Sequence, residues 1–358
     1  ILVEKSRFIR DFFIGIKCIF VKIFVMFSFI IPVYNRPDEI DELLESLSQL
    51  DYDHPFEVVI VEDGSTVACD FVLGKYKGKL DIAYYFKENS GPGDSRNYGM
   101  RLAKGNYFLI LDSDCILPKG YLTQVSKSLE NAYVDCFGGP DQALESFSAI
   151  QKAINFSMTS FLTTGGIRGG SEQITKFQPR SFNMGLSKKA FDASNGFGNI
   201  HPGEDPDLSI RLWKLGFETK LIPEAYVYHK RRIDWNKFFT QVNKFGKARP
   251  ILNYWYPAHA KVAFWLPTLF CVGFVTSVLL SLVGLNLFLW FYIVYFIILF
   301  IVALWNTKKL HIALYSLLAT IIQFYGYGTG FLIAYWNIFI KKIKPEIAHP
   351  ELFFKIKK

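Results

Sequence analysis

Two short stretches carry residues whose types and spacing suit chemistry. In Tyr107-Phe-Leu-Ile-Leu-Asp-Ser-Asp-Cys115, the carboxylates of Asp112 and Asp114 follow an unbroken apolar run. Where an extended strand runs out into a loop they project in nearly the same direction, and they repel each other unless a cation lies between them. Mg²⁺ or Mn²⁺ suits such a pair, because hard ions take oxygen ligands and are commonly held by one or two carboxylates together with substrate phosphates. An Asx turn closing the strand accounts for Asp112-Ser-Asp114 equally well. The second stretch, His201-Pro-Gly-Glu-Asp-Pro-Asp-Leu208, sets Glu204 and Asp205 at the start of a run that reads as a helix to Leu215, ended by Gly216. Pro206 fits the first turn of that helix, which puts Asp205 at the N-cap. Capping alone would explain it. The helix dipole also favours the ionised carboxylate that a general base requires.

The elements that must position these acids are legible from the apolar pattern. Tyr107 to Leu111 reads as a strand buried on both faces of a mainly parallel sheet. Phe27 to Asn35 and Phe56 to Ser65 repeat the scheme of a buried strand closing on polar residues. A helix with Ile40, Leu43, Leu44 and Leu47 at helical spacing lies between them. A short strand from Asp81 to Phe86, the loop Glu88-Asn-Ser-Gly-Pro-Gly-Asp94 and a helix through Ala103 complete the alternation. That alternation predicts an α/β, doubly wound, Rossmann-like sheet with its site at the strand ends. Val134 to Phe137 reads as a further strand, and Thr163 to Lys176, rich in Gly, Ser and Thr, as a mobile loop.

Ile31-Pro-Val-Tyr-Asn35, Glu62-Asp-Gly-Ser65, Ser90-Gly-Pro-Gly-Asp-Ser-Arg-Asn97 and Asp112-Ser-Asp114 resemble, in order and spacing, the motifs of family 2 glycosyltransferases, inverting enzymes of the GT-A fold. The resemblance covers about residues 27 to 250. It implies that Pro32, Tyr34, Asn35 and Asp63 lie around the nucleotide base, with Gly91 and Arg96 near the ribose and phosphates. It implies ribose and metal contacts for Asp112 and Asp114, and a late metal ligand in His229. Arg180-Ser-Phe-Asn-Met-Gly185, with Asn183, resembles the segment lining the acceptor and donor-sugar pocket, and Gly-Glu-Asp205 the acid motif whose Asp is the catalytic base, beside Glu204. Glu62 stands where the family more often has Asp. Gln241 and Arg249 resemble, without matching, the Gln-x-x-Arg-Trp element of processive synthases, and Arg249 is taken as a donor or acceptor phosphate contact.

The chain has 358 residues, 51% of them hydrophobic and 17% aromatic, richer in apolar residues than a typical soluble protein. The excess is concentrated: Val262 to Thr307 contains no charged residue, long enough for two spans of about 20 residues each. The expected organisation is an N-terminal amphipathic extension (1–26), a catalytic domain (27–235), coupling helices (236–261), a transmembrane hairpin (262–306) and a third membrane-associated segment with a basic tail (307–358). Met26 as the natural start is the alternative account of the extension. Gly326-Tyr-Gly-Thr-Gly330 predicts a break in the third segment, giving two short helices that enter and return or lie at the interface; a third full span would put Lys341, Lys342 and Lys344 outside, against the positive-inside rule. The +8 formal charge crowds around the apolar segments and the C-terminus, which suits anionic lipid, and no nucleic-acid recognition motif accompanies it. Five scattered cysteines without CxxC spacing fit free thiols in a reducing compartment.

The expectation is therefore a metal-dependent glycosyltransferase anchored in the inner (plasma) membrane as a multi-pass protein, its catalytic domain cytoplasmic. It would use a nucleotide-sugar donor, a UDP-sugar, and a lipid-linked or glycan acceptor, with membrane lipid as a further partner and no nucleic acid. A processive polysaccharide synthase, a nucleotidyltransferase and an inactive membrane scaffold are the rival readings.

Overall fold

The computed structural model describes residues 25–165, 176–230 and 234–354. The expected N-terminal amphipathic helix, most of the Gly/Ser/Thr-rich loop, Arg231, Arg232 and the last basic residues lie outside the described residues.

Three apolar strands form the middle of a seven-stranded sheet: β1 (Phe27–Val33), β2 (Glu57–Asp63) and β4 (Tyr107–Leu111), with β3 (Asp81–Lys87) beyond β2. They are parallel, with β1 between β2 and β4, so their carboxyl ends share one edge. Nearly every residue of β1, β2 and β4 is buried, because helices cover both faces. α1 (Pro37–Ser48) buries Ile40, Leu43, Leu44 and Leu47 on the face formed by Phe29, Ile31 and Leu109. Met100 of α2 (Pro92–Leu102) packs on the opposite face with Ile30, Val59 and Phe108. The doubly wound α/β expectation holds for this half.

The other half makes the sheet mixed. After β5 (Cys115–Ile116) and α3 (Tyr121–Asn131) come β6 (Cys136–Gly138), β7 (Asp141–Gln142) and α4 (Ala149–Thr159). β8 (Asn183–Ser187) inserts antiparallel between β4 and β6, pairing Leu111 with Asn183 and Tyr107 with Ser187. α5 (Lys188–Ser194), α6 (Glu204–Lys214), β9 (Thr219–Leu221) and β10 (Val227–His229) follow. A second sheet, β5-β10-β7, sets His229 opposite Cys115. That pairing brings a residue from the end of the domain to the Asp112-Ser-Asp114 loop.

From Trp235 the chain is helical: α7 (Trp235–Trp255), α8 (Leu266–Ser281), α9 (Leu287–Thr307) and α10 (Leu310–Tyr335). Val262–Ser281, Leu287–Thr307 and Leu310–Ile340 are long and apolar enough to cross a membrane. The expected break at Gly326-Tyr-Gly-Thr-Gly330 is absent: α10 runs through it and continues as a π-helical turn over Trp336–Ile340. The reason is packing. A Cβ at Gly326 would lie 2.6 Å from Val242, one at Gly330 2.2 Å from the Asn243 carbonyl, and one at Gly246 2.1 Å from the Tyr327 carbonyl. The glycines serve the close approach of α7 and α10 along their length. The two helices run parallel, Trp235 meeting Tyr315 at one end and Tyr254 meeting Phe339 at the other. The tail then turns back onto the catalytic domain, where the Leu352 carbonyl accepts the His201 N–H at 2.8 Å and the Asn199 carbonyl accepts the Phe354 N–H at 3.0 Å.

Candidate active site

At the shared strand edge, each carboxylate of the Asp112-Ser-Asp114 loop has its own guanidinium. Arg36, just past β1, donates to Asp114 at 2.7 Å, and Arg96, from α2, donates to Asp112 at 2.7 Å. Arg96 also reaches Glu204 at 3.3 Å, linking α2 to the start of α6. His201 lies 2.8 Å from the same Glu204 oxygen.

These partners set the acids apart. Although burial alone would raise it, Glu204 is held below the usual carboxylate range by His201 and Arg96. Asp205 is pushed up to about 6, first by burial and then by the neighbouring Glu204 charge, with Arg96, Arg180 and Ser181 acting the other way. The adjacent acids thus stand on opposite sides of the ordinary value. Asp205 Oδ1 is buried and without a hydrogen-bond partner among the described residues.

The N-cap expectation for Asp205 is corrected. Gly203, at φ 129°, is the N-cap; Glu204 is the first helical residue and Asp205 the second. Only a residue outside the helical φ/ψ region can turn its side chain back onto the second or third amide. Asp205 therefore makes no cap bond; the residue lines the cavity, with Oδ1 itself buried.

Where the family resemblance implies a metal, His229 Nε2 is 3.2 Å from Asp114 Oδ1, and the ring stacks on Phe182 with centroids 4.8 Å apart. Two ligands each about 2.1 Å from one ion in octahedral geometry lie about 3 Å apart, so this pair fits Mg²⁺ or Mn²⁺. Cys115 is the third member of the cluster, but burial pushes its thiol well up and its Sγ lies 3.4 Å from the Phe182 carbonyl. A hard ion has no use for it. Asp114 and His229 are the donors that the geometry brings together, and Asp112 is the further ligand that the family resemblance implies.

The remaining expected donor contacts are distributed differently. Tyr34 is exposed at the end of β1. Asn35 Oδ1 accepts from Thr66 and Val67 backbone N–H groups, tying the loop after β1 to that after β2. Asp63 accepts from Lys87, Ser90 N–H and Gly91 N–H, which shapes the loop before α2. Glu62, the departure from the family pattern, accepts from Cys69 N–H and Tyr84 and so braces the fold beneath. Asn183 is fully buried in β8, accepting from Tyr121 at 2.7 Å and donating to the Ala225 carbonyl at 2.7 Å. Both ends of its amide are engaged inside the domain. Pro32, Tyr34, Asn35, Asp63, Gly91 and Asn183 do not line the main cavity, whereas Arg96, Asp112, Glu204, Asp205, His229 and Arg249 do.

That cavity measures about 1330 Å³. Ligand sites for one small molecule run to about 300–1,000 Å³, so there is room for more than one reactant. One half carries the acids and Arg96; the other is walled by Phe264, Leu269 and Phe270 of the hairpin, Tyr295 of α9 and Phe324 of α10. Leu266 and Leu269 line it and are more than half exposed, so its apolar end opens toward the outer face of the hairpin. Arg36, His201, Phe182 and Arg180 were not singled out from sequence. Arg180 lay inside a recognised segment, but nothing in the spacing marked Arg36 as the partner of an acid beyond β4.

Residues 28–193 match the family model described as Glycosyl transferase family 2, and this segment is a family 2 glycosyltransferase domain. Among curated relatives, the poly(ribitol-phosphate) beta-N-acetylglucosaminyltransferase TarS of Staphylococcus aureus (strain Mu50) is 36% identical over 112 residues, covering 30% of this chain and 20% of its own. The hyaluronan synthase of Pasteurella multocida is 25% identical over 237 residues, covering 57% of this chain and 24% of its own. The chain thus spans about a fifth to a quarter of the length of these two relatives. In fold, the chain is similar to the mannosyltransferase PcManGT of Pyrobaculum calidifontis, solved with GDP-Man and Mn2+. The TM-score is 0.56 at 15% identity, covering 84% of this chain and 87% of that one. The domain therefore has the GT-A fold.

Proposed function

We propose that the chain is an inverting, metal-dependent glycosyltransferase moving a sugar from a nucleotide-sugar, a UDP-sugar, to a hydroxyl of a lipid-linked acceptor at the cytoplasmic membrane face. The observation that carries the reading is Asp205, with a buried and unpartnered oxygen, lining a cavity shared by the strand-end acids and the C-terminal helices. As the acceptor oxygen attacks the anomeric carbon, Asp205 takes its proton and the bond to the nucleoside diphosphate breaks on the opposite face. Configuration inverts. A carboxylate with a raised pKa is better matched to that task near neutrality than an ordinary one. Arg96 and His201 keep Glu204 ionised beside it, and Arg96 offsets charge building on the leaving diphosphate. When bound by Asp112, Asp114 and His229, Mg²⁺ or Mn²⁺ supplies further neutralisation of that diphosphate.

The lipid-linked acceptor is supported by the apolar half of the cavity and its opening beside exposed Leu266 and Leu269. For the membrane arrangement, we infer that the hairpin α8–α9 enters the bilayer while α10 stays on the catalytic side. The N-terminal half of α10 packs on Phe156 and Ile154 of α4, and at its other end Ile338, in the π-helical turn that continues it, clusters with Ile200 of the catalytic domain. A crossing helix would separate those ends by about 30 Å of hydrocarbon. The exposed apolar stripe Leu314, Leu318, Ile321 and Tyr325 suits a helix lying at the interface.

The test is a screen of nucleotide sugars with the full chain in vesicles of bacterial lipid extract, reading nucleoside diphosphate release and organic-extractable labelled product. Metal-dependent release with a lipid-soluble product is expected. Pyrophosphate release from nucleoside triphosphates, or no turnover with any sugar nucleotide, would overturn the reading.

A further inference from the structure

Two arginines that the mechanism above leaves idle face the same cavity. Arg180 precedes β8 and Arg249 lies in the last turns of α7; both line the cavity, and neither forms an ion pair with a carboxylate among the described residues. The other arginines described at this site are paired: Arg36 with Asp114, and Arg96 with Asp112 and Glu204. Arg249 has its guanidinium carbon 4.4 Å from the Phe264 ring centroid, on the first turn of the hairpin, which leaves the N–H edge for other partners. It therefore stands at the seam between the polar and apolar halves.

The electrostatics agree with this geometry. Arg249 is pulled down to about 10, mainly by burial and further by the like charge of Arg180, with Tyr327 acting the other way. Arg180 is also lowered by burial, although Asp205, Asp141 and Glu204 oppose it from beyond ion-pair distance. Both remain charged near neutrality. Buried like charges without counter-ions are costly, and such a pair is stabilised by an anion offering several acceptor oxygens.

We propose that Arg180 and Arg249 together bind a phosphate or diphosphate group, the headgroup of an amphiphilic acceptor whose hydrocarbon chain lies along Phe264, Leu269, Phe270 and Phe324. This rests on the lipid-linked acceptor reading. Two features assign the anion to the acceptor side. Arg180, after Arg96, acts on the charge of Asp205, the base that must meet the acceptor hydroxyl, and unlike Arg96 it is not engaged by Asp112 and Glu204; Arg249 touches the wall of the apolar half. The donor diphosphate has Arg96, Asp112 and the Asp114–His229 pair instead.

The experiment measures binding with no sugar transfer, so it stands or falls apart from the activity. The full chain in detergent micelles is titrated calorimetrically with farnesyl diphosphate, farnesol, and UDP with Mn²⁺. Arg249→Gln and Arg180→Gln should each weaken farnesyl diphosphate binding by about tenfold or more, the scale of a charge-assisted contact. Arg249→Lys should recover part of it, and UDP affinity should stay within about twofold. Farnesol should bind weakly to all forms. Loss of UDP binding with farnesyl diphosphate retained would assign the arginines to the donor and overturn the proposal, as would no change in either ligand. Should a Gln variant fail to fold, competition on the unaltered chain decides: simultaneous binding of UDP and farnesyl diphosphate supports the proposal, and mutual displacement overturns it.

Discussion

The two walls of the cavity treat charge in opposite ways. On the strand-end wall, Asp112 and Asp114 are matched one to one with Arg96 and Arg36, and Glu204 is shared by Arg96 and His201. On the other, which runs from the start of α6 to the seam with the hairpin, the Asp205 oxygen, Arg180 and Arg249 are buried or half-buried without such partners among the described residues. Paired charges hold geometry because each lowers the desolvation cost of the other. Unpaired ones raise the energy of the free protein and leave interactions to be made with reactants. The first wall is built to position, and the second to react and bind.

The largest expected effect tests the first wall. Asp114→Ala should abolish transfer together with metal-dependent UDP binding, since few protein ligands hold the ion; His229→Ala should weaken the same binding less. Undiminished turnover of the unaltered chain in excess chelator would remove metal from the account. Next comes Asp205→Asn on the second wall, where turnover should fall by about 10²-fold or more with donor affinity retained. Because Asp205 makes no cap and its pKa is raised by burial, ionising it costs the folded state. Stability from this group is therefore present at low pH and lost as pH rises from the ordinary carboxylate value through about 6. The Asn variant should accordingly melt higher than the unaltered chain at pH 8 and not at pH 4. A lower melting temperature at pH 8 would make Asp205 structural.

A third expectation is that transfer falls by about tenfold per pH unit below about 6, as Asp205 takes up its proton, and that this acid limb vanishes in Asp205→Asn. A flat profile between pH 5 and 7 would contradict it. Smaller still, Gly326→Leu should destabilise by about 1–3 kcal/mol through overpacking against Val242 and Phe239, seen as a lower melting temperature. The least perturbing change, Glu346→Cys, should leave activity intact and react with a membrane-impermeant thiol reagent only from the catalytic side. Labelling from the opposite side would make α10 a crossing helix.

The central sheet, the helices on its faces and the uncharged hairpin were legible in the chain because each is a local pattern. Buried strands are continuous apolar runs, α1 repeats its leucines at helical spacing, and Val262 to Thr307 contains no charge. The acids at 112, 114, 204 and 205 were legible for the same reason, being adjacent in sequence and placed where elements end. Local pattern misled at Gly326-Tyr-Gly-Thr-Gly330, since glycine spacing carries no record of the neighbour it admits. Only the packed partner, α7, distinguishes a helix break from a close contact. At Asn183, likewise, spacing cannot distinguish an amide bonded to Tyr121 and the Ala225 carbonyl, as found, from one facing a ligand.

Which charges stand paired was decided by tertiary structure alone. Arg36 meets Asp114 across 78 positions and Arg96 meets Glu204 across 108, distances in sequence over which no spacing rule operates. Arg180 and Arg249 reach one cavity from a strand edge and from a helix end. The sequence by itself determined which residues are ionisable and where strands and helices stop. The fold determined which of them lie beside a counter-charge and which face the cavity, because burial and Coulomb energy depend on distance in space.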